Sequence, residues 1–324
     1  MILTNPTPLA AKLISAPVEG VEGVPAFVIA KETYDIDDGG ALSLSQQPVP
    51  ISVEPIASPF GVVHSEIFPR KQGADFVIEG TVQLAAPRNQ TMVTASLGAF
   101  TSRLKITGDR TWSARPNAEP IPTAAAPFLE MPISYSRAFG GIATTPMGPL
   151  PYTANPGGRG FFDQLDQCVG QPLPNIEWAD AAPIRSWRDR PDPAGWGPYP
   201  MFWGLRAATA VRLDKDNNVT GMSRSMFNHA HPAMVLPAIE IGERVTVEGV
   251  TPQPLTFEIP NLRVMVRWTS GIELGEIALG IDGVFVWIDQ RKVAITRRAR
   301  FRYPFRPGEP RAATLVAHSK RRAS

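Results

Sequence analysis

Proline and glycine set the limits of this chain: 34 prolines and 27 glycines interrupt its 324 residues. Proline fixes φ and removes a backbone donor, so breakers at this density forbid long helices through most of the sequence. Short strands joined by many turns are what remains, which predicts a mainly β fold. Hydrophobic residues make up 43% of the chain, enough for a real core, and wholesale disorder is excluded. The length suits one large or two medium domains.

Residues 26–37 read as a strand that starts buried and ends alternating, turned by Asp38-Gly39-Gly40 and returned by 41–50. A second hairpin is predicted from 76–84 and 91–98 around 86–89. A further pair, 104–106 with Trp112, is expected around Gly108-Asp109-Arg110. In the C-terminal part, 205–213, 246–250 with 255–260, 263–268, 272–281, 284–288 and 292–303 read as strands. Gly271, Asp282-Gly283 and Asp289-Gln290-Arg291 separate the last of these, and Asp-Gly between apolar runs is a strong hairpin signal. From 113 to 204 no ten-residue segment keeps a clean period, apart from a possible short helix over 161–169. That stretch is rich in aromatics, which a disordered linker would lack, so ordered loops packed on the sheets are expected. The organisation predicted is an antiparallel β-sandwich or barrel-like halves with few short helices. Its parts are an N-terminal β region (1–112), a loop-rich insert (113–204), a C-terminal β region (205–303) and a flexible basic tail (304–324), together one compact unit.

The formal net charge is only +2, but it is unevenly placed. Residues 290–324 hold eleven Lys or Arg and one acid, Glu309. That leaves 21 of the 32 basic and 29 of the 30 acidic residues for 1–289, a net of −8. The basic end either seeks an acidic partner or is a solvated final strand with a frayed tail. Arg300, Arg302 and Arg306 alternate with Phe301, Tyr303 and Phe305. Interleaved aromatics suit nucleic-acid stacking, but any amphipathic strand alternates in the same way, and nucleic acid is not expected as a partner. Cys168 is the one cysteine, so no intrachain disulfide forms. The first residues carry neither a basic region nor a continuous apolar stretch. No apolar run approaches the roughly 20 residues of a membrane helix, so a cytoplasmic protein is expected.

Tests for chemistry return little. His229 and His231, if on a strand, face the same side and can reach one ion, but no third ligand is spaced to join them. Bonds to backbone or water near Pro232 are the plainer reading. His64 and His318 stand alone. The run from Asp214 to Gly221 resembles a calcium loop, yet has Val219 where glycine is needed and Ser225 where the closing acid belongs. Ser134 and Ser136 do not form a nucleophile elbow, and Cys168 has no neighbouring His and reads as a core residue. No phosphate loop or dinucleotide fingerprint occurs. The chain is read as a non-enzyme without a cofactor. A metal-dependent hydrolase at His229 and His231 is the alternative from another class, and a structural tail or spike component is a third.

Six segments do form a series. Lys71, Gly73 and Asp75 lie in a Pro-x-Lys-x-Gly-x-Asp run that leads into an apolar strand. Gly108, Asp109, Arg110 and Trp112 follow. Then come Tyr135, Arg137, Phe139, Gly140 and Gly141, and after them Asn155, Pro156, Gly158, Arg159, Gly160 and Phe161. Pro174, Asn175 and Glu177 precede Pro193, Gly195 and Gly197. In order and content the series resembles a domain-of-unknown-function family encoded beside type VI secretion effectors, over roughly residues 25–300. The resemblance implies an adaptor-chaperone that holds a toxic effector in the bacterial cytoplasm and helps load it onto the secretion spike. It implies no catalytic residues. The motif residues either build the fold or touch the partner, and tight loop packing is the simpler role for each.

Overall fold

The computed structural model describes residues 1–18, 22–58, 61–216 and 218–319. Its largest sheet has seven strands, in the order Ala10–Ser15, Val24–Ile36, Lys292–Tyr303, Gly280–Trp287, Ala74–Glu79 and Val235–Leu236, with Leu42–Leu44 also paired to Val24–Ile36. Val24–Ile36 and Lys292–Tyr303 are buried almost throughout, because sheets and loops cover both their faces. Ala74–Glu79 runs parallel to Gly280–Trp287, with Phe76 opposite Val284; the other pairings in this sheet are antiparallel.

Two smaller sheets use this one as a common wall. Ile2–Thr4, Arg311–Ser319, Leu262–Ser270 and Glu273–Ala278 form a four-stranded sheet. It packs on the Val24–Ile36 side through Val28, Ala30, Val264, Val266, Ala299 and Leu315. Ile176–Trp178, Phe100–Thr107, Gln90–Leu97, Arg244–Glu248 and Leu255–Glu258 form a five-stranded sheet. It shares the main core, which holds Phe76, Ile78, Leu97, Leu104, Val245 and Ile295. The fold is mainly β, and among the described residues no sheet closes into a barrel.

Several local expectations change. Asp282-Gly283 is not a turn: it lies inside Gly280–Trp287, where the register shifts between Ile281 and Gly283. Turns and bulges favour the same residues, and the flat face of Gly283 is needed, since a Cβ there would meet Phe285 and Thr296 at 2.7 Å. Residues 205–213 form a helix, Gly204–Ala210, before the strand Val211–Leu213; three alanines outweigh the apolar run. Residues 91–98 pair with Phe100–Thr107 through Gly98-Ala99 and not with the strand before them. Trp112 joins a separate ladder with Ala118–Pro122. Over 161–169 there is only a 3-10 turn, Leu165–Gln167. The middle region contains ladders of two to five residues, too short to show a period. The tail expected to be flexible instead supplies Arg311–Ser319, inserted between Ile2–Thr4 and Leu262–Ser270 because Ala313 and Leu315 bury their side chains there. Residues 320–324 lie outside the described ones.

Candidate functional site

The six motif segments assemble into two places. All but the first gather in one knot beside the five-stranded sheet. Asn155 is fully buried and its Nδ2 donates to Tyr135 O (2.8 Å) and Phe139 O (3.0 Å). Phe139 and Gly140 pair in parallel with Arg159 and Gly160. Gly140 has φ +148°, and a Cβ there would sit 2.1 Å from Asn155 O, so no other residue fits. Gly195 lies flush against the Tyr135 ring, whose hydroxyl donates to Gly195 O and Gly197 O at 3.3 and 3.4 Å. Asn175 is the second hub: its Nδ2 donates to Thr107 O and Asp109 Oδ1, and its Oδ1 accepts from both Arg137 and Arg159 at 3.2 Å. Arg110 donates to Pro174 O (2.9 Å) and lies 3.8 Å from Glu177, which also pairs with Lys105. Trp112, Phe139 and Phe161 share a small apolar cluster with Cys168 and Trp187. Pro193 is buried and Pro156 half-buried. These side chains bond mainly to one another and to backbone carbonyls, the pattern of a device that fixes loops.

The first segment lies elsewhere, within a layer of buried charge on the large sheet. Asp75 accepts from Lys71 Nζ (2.8 Å), Asn228 Nδ2 (2.9 Å), His229 N (3.0 Å) and Ala230 N (3.1 Å). Burial alone would raise its carboxyl; the Lys71 ammonium and the His229 backbone amide outweigh that and hold it well below the usual range. Next to it Lys31 pairs with Glu66, and Arg298 pairs with Asp282 while donating to the carbonyls of Glu66 and Phe68. Asp282 also accepts from Thr296 Oγ1 at 2.8 Å. On the opposite face Arg297 pairs with Glu32 at 2.6 Å. Each of these charges has a partner of opposite sign, the condition under which such groups persist in a core, whereas buried Glu79 accepts from Ser58 and buried Arg206 donates to Ala230 O. Gly73 closes the run at φ +71°, against Leu236 O.

His229 and His231 do not converge as the strand rule would require, because 228–231 is irregular. The His229 ring packs by Phe68 and Phe285, and the His231 ring against Tyr135, Trp178 and Tyr199. His231 Nδ1 accepts from Ala233 N at 3.1 Å. Burial depresses both imidazoles, His231 to about 3. Among the described residues no group of three or more His, Cys, Asp or Glu side chains is placed to hold a metal ion. Asp214 caps its own turn by accepting from the amides of Asp216 and Asn218 at 2.9 Å.

The charged layer opens at one end into a groove of about 920 Å³. Opposite residues on neighbouring strands share a face, and here Arg298, Arg300 and Arg302 lie beside Ile29, Phe27 and Pro25. Ile14, beside Phe27, extends the apolar floor. Arg70 and Pro237 come in from the far wall. Arg70, Arg300 and Arg302 are exposed, and among the described residues none of their side chains has an ion-pair or hydrogen-bond partner. Sequence reading missed this site. The alternating arginines were visible, but not the partners that parallel pairing of Ala74–Glu79 with Gly280–Trp287 brings to them. No helix among the described residues is long and apolar enough to cross a membrane.

No curated protein and no solved structure matches this chain. Residues 22–298 match the family described as an uncharacterized protein conserved in bacteria, DUF2169. That span takes in the knot and the buried layer and stops two residues short of Arg300. The chain belongs to the DUF2169 family.

Proposed function

We propose that the protein is a non-catalytic adaptor-chaperone that binds a type VI secretion effector in the bacterial cytoplasm and helps load it onto the secretion spike. The motif series supplies the resemblance to such adaptors. The observation that carries the reading is the open groove, whose apolar floor is bordered by Arg70, Arg300 and Arg302, which have no partner among the described residues. Apolar area with arginine at its border is the composition that anchors one polypeptide on another. The knot would hold the loops rigid around the sheets, so little ordering entropy is lost on binding.

Co-expression with the product of an adjacent effector gene tests the reading. A complex that survives size-exclusion chromatography, and a fall in effector level when the adaptor gene is deleted, are expected. Absence of both would overturn it.

A further inference from the structure

Within the groove, the far end of the central strand is paired on one side only. Lys292–Tyr303 is bonded to Val24–Ile36 along its full length, down to Tyr303 opposite Val24. Its other neighbour, Gly280–Trp287, begins at Gly280 opposite Arg298. Among the described residues, 299–303 therefore have no strand on that edge, and the groove lies along it. An open edge of this kind is a template for one more strand.

The side chains along this edge specify what such a strand would carry. Arg298, Arg300 and Arg302 recur at every second residue, about 7 Å apart on one face. Arg298 is nearly buried at the groove's inner end, and its Nη2 has no hydrogen-bond partner although its Nε is bound to Asp282. Among the described residues, Arg300 and Arg302 have no ion-pair or hydrogen-bond partner. The other face of the same strand presents Phe301, half-buried and stacked on Trp268, and Tyr303. A strand laid in register would meet guanidinium groups on one side and apolar rings on the other.

We infer that this edge accepts an extended segment of a partner protein in which acidic and apolar residues alternate, the acids facing Arg300 and Arg302, since Gly280 already stands opposite Arg298. The floor of Ile14, Phe27 and Pro25 is aliphatic and prolyl apart from one ring, so it is no stacking platform for bases. The inference rests on the adaptor reading and gives its partner a chemistry.

The test uses the full chain and fluorescein-labelled octapeptides. One alternates Glu and Val, one has the same composition in two blocks, and one is the alternating peptide with N-methylated valines. A dT oligonucleotide of equal charge is the fourth probe. The alternating peptide should bind, and its affinity should fall about tenfold or more in the Arg300→Glu, Arg302→Glu variant and on raising salt. Arg263→Glu, on the four-stranded sheet, should leave binding unchanged. The block and N-methylated peptides should bind about tenfold more weakly, since register and edge hydrogen bonds are lost. Equal binding of either control peptide, indifference to Arg300 and Arg302, or preference for the oligonucleotide would each overturn the inference. If the effector co-purifies yet the charge-reversed variant retains it fully, this inference fails and the adaptor reading stands. If the peptide binds but no effector does, the adaptor reading fails.

Discussion

The knot and the charged layer solve the same problem, burying polar groups, in opposite ways. In the knot, Asn155 and Asn175 are neutral hubs whose amides meet backbone carbonyls. In the layer, Asp75, Glu66 and Asp282 are ionised hubs facing Lys71, Lys31 and Arg298. A neutral hub loses only its hydrogen bonds when cut. A charged hub leaves its partner ionised in a low-dielectric setting, which costs more. The knot therefore fixes loop geometry, while the layer makes the sheet's interior dependent on charge balance.

The contrast can be broken hardest at Asp75. Asp75→Ala strands Lys71 and three further donors, and denaturant unfolding should show a loss of about 3–5 kcal/mol. Cutting the neutral hub by Asn155→Ala should cost about 1–3 kcal/mol by the same measurement, for two orphaned carbonyls. Equal costs at the two sites would remove the distinction.

Acid pH separates the regions further. His231 belongs to the knot side and His229 to the layer, and both are depressed by burial. Below the unfolded value of 6.5 the unfolded chain binds protons that the folded chain refuses, so stability present above pH 6.5 is lost as pH falls. From pH 6.5 to 5.5 each histidine should remove about 1 kcal/mol. His231→Asn, which keeps an acceptor for Ala233 N, should abolish the knot's share of that slope in unfolding titrations, and His229→Asn the layer's. Asp75 and Asp282 have lowered values, so their contribution is present above the unfolded 3.8 and disappears only as pH drops below it. The smallest effect belongs to an exposed pair outside both regions. Arg103→Ala, which breaks the 2.8 Å bridge to Asp180, should change stability by less than about 1 kcal/mol.

Much of the strand content was legible. Val24–Ile36 announces itself by its apolar run and Lys292–Tyr303 by Val293–Ile295 followed by alternation, and the turn at Gly271 appears with φ +58° where expected. What misled was chemistry shared by two structures. Asp282-Gly283 suits a bulge as well as a turn, and an Ala-rich stretch beside Leu205 suits a helix as well as a buried strand. The strand Arg311–Ser319 was hidden by the charge around it, although Ala313 and Leu315 already carried its buried face. The motif residues were found, and loop packing was the role read for them, but which of them act as hubs was not visible. That Asn155 and Asn175 are hubs depends on carbonyls from segments far away in sequence. The groove was invisible because Arg70 and Arg300 come to line one cavity only after distant strands pair in parallel.

The longest ladder among the described residues joins Val24–Ile36, near the start of the chain, with Lys292–Tyr303, near its end, and everything between them is a loop closed by that contact. Bringing such remote partners together must be paid in chain entropy before any of its hydrogen bonds form, which makes assembly slow and cooperative. Until the ladder closes, Glu32 lacks Arg297, and a long β segment stays open to wrong neighbours. A protein whose proposed work is to guard another chain thus begins its own life with an unguarded strand.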